Sequence, residues 1–188
     1  MPPAIRFSKA QIVDAAVALV QEEGAAALNA RAVARRLGCS TQPLFREFET
    51  MAQLKTAVID RAEEVYDRYI EASKQEAVAP YKATGLAYIR FAREQGELFK
   101  LLFMRDRRGE ASSKEMQDHN MDYILDRIMD VTGYSREQAL TFHLIMWIYV
   151  HGLAAMVATH YQDFTDEELH RLLSEQFEAV KRGFKTGP

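Results

Sequence analysis

The residues best suited to chemistry lie on a short predicted helix that begins near Ser40. Its apolar positions include Leu44, and its outward positions hold Thr41, Gln42 and Arg46. A helix that presents small polar groups and a guanidinium can enter the major groove of DNA and contact base edges and phosphates. This segment is therefore the first candidate for a binding surface.

A second short helix, at about residues 30–37, precedes it, and Gly38 lies between the two. A tight turn between helices needs a positive φ angle, which glycine adopts readily. Each helix has only about two turns, so both must pack on a neighbour to be stable. Arginines on the first helix can contact the DNA backbone. They are Arg31, Arg35 and Arg36.

Other chemistry finds little support in the sequence. There is no G-x-S-x-G, no H-E-x-x-H, no Gly-rich phosphate loop and no carboxylate pair beyond ordinary surface patterning. His143 and His151 are eight residues apart, and no Cys or carboxylate pair joins them at ligand spacing, so neither a metal nor a cofactor is expected. Cys39 is interpreted as a packing residue, and a single cysteine suits a reducing cytoplasm.

The elements that must position these residues are all predicted to be helical. Only 9 Gly and 5 Pro interrupt the 188 residues, and 48% hydrophobic with 27% charged residues is a soluble globular composition. S/T-x-x-E/Q patterns that typically begin helices start at Ser8, Ser135 and Thr165. About nine helices are expected, over 8–24, 30–37, 40–48, 51–76, 80–95, 98–104, 114–131, 137–161 and 166–184.

Charge and hydropathy also vary along the chain. Residues 1–61 carry a net charge of +2 and the remainder −5, as expected if only one end meets phosphate. The stretch 139–158 is apolar for about the length of a membrane span, but it contains His143 and Gly152 and has no flanking basic cluster. We interpret it as a helix buried in a bundle.

The run ALNARAVARRLGCSTQPLFREFETMAQL resembles the DNA-binding signature of the TetR family of transcriptional regulators. The likeness rests on the pair Val33–Ala34, the Gly38-x-Ser40 turn, Leu44 followed by an aromatic residue, and Phe48. It covers about residues 8–58. The motif W-x-x-x-H-G, at Trp147, His151 and Gly152, is similar to one class of C-terminal domain in that family, the WHG type.

This resemblance implies an all-α protein with a three-helix helix-turn-helix head and a helical bundle body. The head is expected at residues 1–50 and the ligand-binding and dimerisation domain at 51–188. The residues implied to contact DNA are Asn29, Arg31, Ser40, Thr41, Gln42, Pro43, Phe45, Arg46 and Lys55.

Three positions depart from the family pattern. The family often has Tyr where Phe45 stands, and the phosphate contact of its hydroxyl is lost here. Met51 replaces a common Lys, which leaves Lys55 one turn later as a substitute. Glu47 stands where His or Tyr is frequent, and a carboxylate near phosphate should weaken binding.

Residues 86–160 hold many large and adaptable side chains that could enclose an apolar cavity or fill an ordinary core. The resemblance favours an inducer pocket, with Tyr88, Tyr123 and His143 as further polar candidates. The predicted pocket residues are Phe91, Phe99, Phe103, Met104, Met121, Phe142, Met146, Trp147 and His151.

The last two long helices are predicted to form a dimer interface. Small residues recur at spacing three, and the final helix has an amphipathic stripe that could instead cover its own core. The predicted interface residues are Gly152, Ala155, Leu169, Leu172, Leu173, Phe177 and Val180.

Together with the single cysteine, the resemblance implies a cytoplasmic, homodimeric repressor that binds a palindromic operator in double-stranded DNA and is released by a small hydrophobic inducer. Neither an enzymatic activity nor a membrane association is expected. Two alternatives stay open at this point. One is a small helical enzyme with an apolar pocket, and the other is a helical protein whose head binds protein.

Overall fold

The computed structural model describes residues 7–106, 108 and 120–185. These residues form nine α-helices and a 3-10 turn at Ala25–Ala27, and they include no strand. The all-α prediction is thus confirmed for the described chain. The helices are α1 Lys9–Glu23, α2 Ala30–Arg36, α3 Gln42–Glu47, α4 Met51–Ser73, α5 Pro80–Glu94, α6 Gly96–Phe103, α7 Met121–Thr132, α8 Arg136–Ala158 and α9 Asp166–Lys185.

The three predicted capping boxes are present. At the start of α1 the Ser8 amide donates to Gln11 Oε1 at 2.9 Å, and the Gln11 amide donates to Ser8 Oγ at 3.2 Å. The same reciprocal bonds begin α8 and α9, between Ser135 and Gln138 and between Thr165 and Glu168. Each box satisfies two backbone donors that a first helical turn leaves unpaired.

Two predicted boundaries need comment. The helix expected near Ser40 begins at Gln42, and Pro43 lies in its first turn, where a missing N–H costs no helical hydrogen bond. Gly96, expected as a separator, is the first residue of α6. The predicted start of the seventh helix at Lys114 lies outside the described residues.

Internal contacts divide the chain into two units, and α4 runs through both of them. The first unit reaches to Tyr66 and includes Gln95–Arg105. In it, α1 packs against α2 and α6. Its core is formed by fully buried apolar side chains from these helices, α3 and α4, among them Ile12, Val20, Val33, Leu44, Leu54, Val58, Leu98 and Phe99.

The second unit contains Asp67–Glu94 and the described residues from Asp106 onward. Here α5 packs mainly on α8, and α7 and α9 complete the bundle. A cluster around Phe142, which is fully buried, joins α7 to α8. The proposed division at residue 50 stays a prediction, since α4 begins in one unit and ends in the other.

The interpretation of α8 as a helix buried on all sides is wrong for one face. By length and composition α8 could cross a membrane, and one third of its most apolar window is buried. Leu144, Ile145, Trp147, Ile148 and Met156 are exposed on it. A helix that is apolar all round but open on one side of a single chain has surface available for a partner.

Candidate nucleic-acid interface

The first helix of the candidate pair is held at its start by Asn29. The side-chain oxygen of Asn29 accepts from the Ala32 amide at 3.0 Å, and its Nδ2 donates to the Ala27 carbonyl at 3.0 Å. Asparagine is a favoured N-cap because it satisfies a backbone donor that the helix itself cannot. Asn29, predicted as a DNA contact, is exposed, but its side-chain oxygen and its side-chain nitrogen both already bond to the backbone.

The turn between the two helices has the predicted conformation. Gly38 has a φ of +67°, and a Cβ placed on it would meet no atom within 4 Å. The requirement for glycine is therefore one of backbone conformation and not of space. Cys39 follows, half-buried, and its amide donates to the Ala34 carbonyl at 3.0 Å.

The second helix, α3, is anchored by one face and open on the other. Leu44 is 1% exposed and Phe48, directly after the helix, is 2% exposed. Gln42, Phe45 and Arg46 are all exposed. The outward direction predicted for Gln42 and Arg46 is confirmed, so that α3 can offer an amide, a ring and a guanidinium to one ligand.

The remaining predicted DNA contacts also lie in the first unit. Arg31, Ser40 and Lys55 are exposed, whereas Thr41 and Pro43 are half-buried. The structure thus leaves every residue of the predicted set with some accessible surface. Their roles stay predictions.

Lys55 lies one turn into α4, beside a shallow cleft. The cleft has a volume of about 200 Å³ and is lined by Lys55, Met51 and Ala52 together with Ala25 and Leu28. An exposed lysine at this edge can attract a phosphate as a mobile point charge. Lys55 thus lies beside Met51, the residue that stands where the family commonly has a lysine.

Arg36 has a different environment from the one that the sequence suggested. Its guanidinium donates to both carboxylate oxygens of Glu22, at 2.7 and 2.6 Å. The hydrogen bonds from Arg36 hold the pKa of the Glu22 carboxyl below its usual value. Arg36 therefore joins α2 to α1, and its donors are already used in part.

Two contacts near α3 were missed in the sequence. Lys9 Nζ lies 5.1 Å from the centroid of the Phe48 ring, a cation–π contact between α1 and the end of the pair. The Gln53 amide donates to Thr50 Oγ1 at 3.2 Å, which caps α4 directly after α3. The second contact had a signal, because Thr50-x-x-Gln53 repeats the pattern seen at Ser8.

The predicted pocket residues are divided between the two units. Phe99, Phe103 and Met104 belong to the first, and the other six belong to the second. Phe91, Phe99 and Phe142 are fully buried and Met146 is 4% exposed, whereas Met104 and Trp147 are 45% and 39% exposed. Phe103, Met121 and His151 are half-buried. A shared pocket stays a prediction.

Two Tyr–His pairs connect α5 to α8 in the second unit. The Tyr88 hydroxyl lies 3.0 Å from His151 Nδ1, and the Tyr81 hydroxyl lies 3.2 Å from His143 Nδ1. Burial lowers the pKa of His151 and raises the pKa of Tyr81. Trp147 stacks on His151 with ring centroids 5.2 Å apart. The histidines named as polar candidates thus hold two helices together.

The predicted dimer residues fall into two groups. Leu169 and Leu173 are each 3% exposed within one chain, so they already face their own core and have no surface left for a partner. Phe177 and Val180 pack partly against the core cluster around Phe142. The prediction is corrected for Leu169 and Leu173, because an amphipathic stripe first covers the core of its own bundle. Gly152, Ala155 and Leu172 are half-buried and keep some surface.

Comparison with known families agrees with this arrangement of helices. Residues 12–58 match the family described as bacterial regulatory proteins, tetR family, and residues 81–180 match the family described as tetracyclin repressor-like, C-terminal domain. No curated protein sequence matches the chain.

Two solved structures share the fold. One is a TetR-like transcriptional regulator from Rhodococcus sp. RHA1, with a TM-score of 0.67 and 14% identity, covering 98% of this chain and 100% of that chain. The other is a TetR family protein from Vibrio parahaemolyticus, with a TM-score of 0.58 and 17% identity, covering 91% of this chain and 97% of that one.

Proposed function

The chain belongs to the TetR family of bacterial transcriptional regulators, and from that premise we propose that it is a homodimeric repressor released from its operator by a small hydrophobic inducer. The observation that carries the DNA-binding part is the geometry of α3. Leu44 is buried beneath the helix while Gln42 and Arg46 face outward. This is the geometry that a recognition helix needs to enter the major groove.

The charges around α3 support the same role. Residues 29–48 contain four arginines and one acidic residue, Glu47, a net charge of +3. The exposed guanidinium groups of Arg31, Arg35 and Arg46 suit contacts with phosphate oxygens. Arg36 contributes by fixing α2 on α1 through Glu22. We infer that this unit positions the protein on the DNA backbone while α3 reads the bases.

The exposed face of α8 supports dimerisation. Leu144 and Ile148 are one turn apart and 53% and 59% exposed, and Trp147 lies between them. A soluble protein rarely leaves such a contiguous apolar face open. Two copies of this face, joined about a two-fold axis with Gly152 and Ala155 allowing close approach, would present two α3 helices to a palindromic operator.

The proposed response to ligand depends on α4. This 23-residue helix begins with Met51 in the first unit and ends at Ser73 in the second. An inducer that prefers one arrangement of the second unit would shift α4, and with it the head, towards a state with lower operator affinity. The aromatic and methionine side chains of the second unit favour a hydrophobic inducer.

We propose residues 1–50 as the DNA-binding domain, 51–188 as the ligand-binding and dimerisation domain, and the cytoplasm as the location. No catalytic role is proposed. Helical protein-binding modules share some of these features, and a direct test separates the two roles.

The test is a selection of duplexes from a random library by the purified full chain. We expect enrichment of a palindromic motif. Arg46→Ala and Gln42→Ala should abolish enrichment while the proteins still dimerise, and Val131→Ala, on the exposed surface of α7, should enrich as the wild type does. Recovery of no motif by a folded wild-type protein would contradict the proposal. Loss of dimerisation in the α3 variants would show that they act through folding.

The inducer response has its own reporter, because Trp147 is the single tryptophan of the chain. Because this ring stacks on His151 and also lies on the proposed dimer face, an inducer should change its emission and release DNA over the same concentration range while the protein remains dimeric. Compounds that change the emission without releasing DNA would argue against the proposed coupling.

A further inference from the structure

Phe45 is an unusual residue on the candidate recognition helix because its large apolar ring is 49% exposed. Phe48, three residues later, is 2% exposed and packs inward, with Lys9 near its ring. The two phenylalanines thus have opposite environments. An exposed ring on a functional surface is a candidate for contact with an apolar group of the ligand.

The surroundings of Phe45 define what kind of ligand this could be. Arg46 is its direct neighbour, and Gln42, one turn before it, is also exposed. Residues three apart on a helix are neighbours, with Cβ atoms about 5–6 Å apart. The Phe45 ring is therefore an isolated apolar group beside the side-chain amide of Gln42, and residues 29–48 around it have a net charge of +3. A fitting partner is anionic around its edges and has an isolated apolar group at its centre.

Double-stranded DNA has this combination in its major groove. Phosphates line the groove, and the C5-methyl of thymine is the apolar group on its floor. Glutamine suits the adjacent N6 and N7 of adenine, so Gln42 and Phe45 together match neighbouring A·T pairs.

We propose that Phe45 is a specificity-determining residue that recognises thymine by packing its ring against the C5-methyl group. The inference rests on the proposed function, because it requires α3 to enter the major groove. Phe45 has no hydroxyl to donate to a phosphate, so its contribution is apolar and does not depend on counterion release. Cytosine lacks the methyl group and should be disfavoured at the same position.

The test uses the full chain and the palindromic duplex enriched in the selection described above. One thymine at a time in a half-site is replaced by deoxyuridine, which lacks only the methyl group, and dissociation constants are measured by fluorescence anisotropy. For the wild type, one thymine position should show a loss of affinity of about three- to fivefold, the effect of losing one buried methyl group. Phe45→Ala should bind the parent duplex more weakly and show no loss at that position.

Two further variants separate this role from others. Arg31→Ala should bind all duplexes more weakly and lower the salt slope by about one, yet keep the thymine response. Phe45→Ala should keep the salt slope of the wild type. Val131→Ala, an exposed apolar truncation on α7, should behave as the wild type does in both respects.

The outcomes are distinguishable. Equal losses on deoxyuridine substitution in the wild type and in Phe45→Ala would overturn the inference, and so would the lack of any sensitive thymine. In both cases the enriched duplex still binds, and the proposed function stands. If no duplex is enriched, the proposed function itself fails, and this inference fails with it.

Discussion

Arg36 on α2 and Glu22 near the end of α1 form a two-bonded ion pair, with N···O distances of 2.7 and 2.6 Å. A planar guanidinium and a carboxylate match in this geometry, which fixes orientation as well as distance. Because α2 has only 7 residues, it depends on such contacts for its position. The pair links the supporting helix α1 to the helix that precedes the recognition helix.

The first prediction concerns the pH dependence of this pair. Hydrogen bonds from Arg36 lower the pKa of Glu22 in the folded chain. The ion pair therefore stabilises the fold fully above pH 4.5, the pKa of the unfolded chain. This stabilisation is lost as the pH falls through the lower pKa of the folded chain. Glu22→Gln should unfold at lower urea concentration than the wild type at neutral pH. We expect the difference to shrink in acid and at high salt.

A matched control for this measurement is Asp126→Asn, which removes an exposed carboxylate from α7. It should leave the urea midpoint close to that of the wild type. A difference between Glu22→Gln and the wild type that is constant from neutral to strongly acidic pH would contradict the assigned role of the pair.

The second prediction compares two glycines of positive φ. Gly38 and Gly133 have φ angles of +67° and +73°, and a Cβ on each would meet no atom within 4 Å. Alanine at either position should therefore lower stability by a similar amount, about 1–2 kcal/mol, through backbone strain alone. Thermal unfolding measures this loss.

DNA binding should separate the same two variants. Gly38→Ala changes the turn before α3 and should weaken operator binding in the folded protein, whereas Gly133→Ala, at the end of α7, should not. Equal operator affinities for the two folded variants would show that the Gly38 turn does not position α3.

Local patterns in the sequence predicted the helices well, for a physical reason. A capping box such as Ser8 with Gln11 is complete within four residues, so its bonds do not depend on the rest of the fold. Gly38 is a similar case, since its positive φ follows from the short turn itself. α3 begins at Gln42, with Pro43 in its first turn, which is later than the apolar pattern alone indicated.

Interactions between distant residues could not be predicted in this way. The stripe on α9 was compatible with a partner or with its own core, and only the packing of α9 places Leu169 and Leu173 inside. The Tyr88–His151 pair joins residues 63 positions apart, and no local signal links them. The apolar pattern of α8 likewise did not reveal which of its faces stays exposed.

The third prediction addresses the α8 face. Ile148 is 59% exposed in one chain. If it lies at a two-fold interface, Ile148→Glu would bury two like charges without partners, which is strongly unfavourable. We expect the variant to sediment as a monomer and the wild type as a dimer.

Val131→Glu is the control for that experiment, because Val131 is also half-exposed, on α7. It should sediment as the wild type does. A dimeric Ile148→Glu protein, or a wild type that is monomeric at micromolar concentration, would argue against the α8 interface.

The fourth prediction concerns His151. Burial lowers its pKa below 6.5 in the folded chain, so the unfolded chain takes up the proton first. The free energy of unfolding should therefore be unaffected by His151 above pH 6.5. It should decrease as the pH falls from 6.5 through the lower pKa that His151 has in the folded chain. His151→Asn retains a polar atom near the position of Nδ1 but cannot titrate, and it should lose less stability between pH 7.5 and 5.5.

Thermal unfolding of both proteins at a series of pH values measures this difference. The other histidines are common to both proteins and cancel in the comparison. Parallel pH profiles for the wild type and His151→Asn would show that His151 is not the group responsible.

The central claim is that α3 binds a specific DNA sequence. Fluorescence anisotropy of the full chain with the enriched duplex and with a scrambled duplex, at about 50 and about 200 mM salt, tests it most directly. We predict tighter binding to the enriched duplex, a loss of affinity on the order of a thousandfold between the two salt concentrations, and a further loss in Arg46→Ala. Equal affinity for both duplexes, or no binding to either at the lower salt concentration by a folded dimer, would contradict the account.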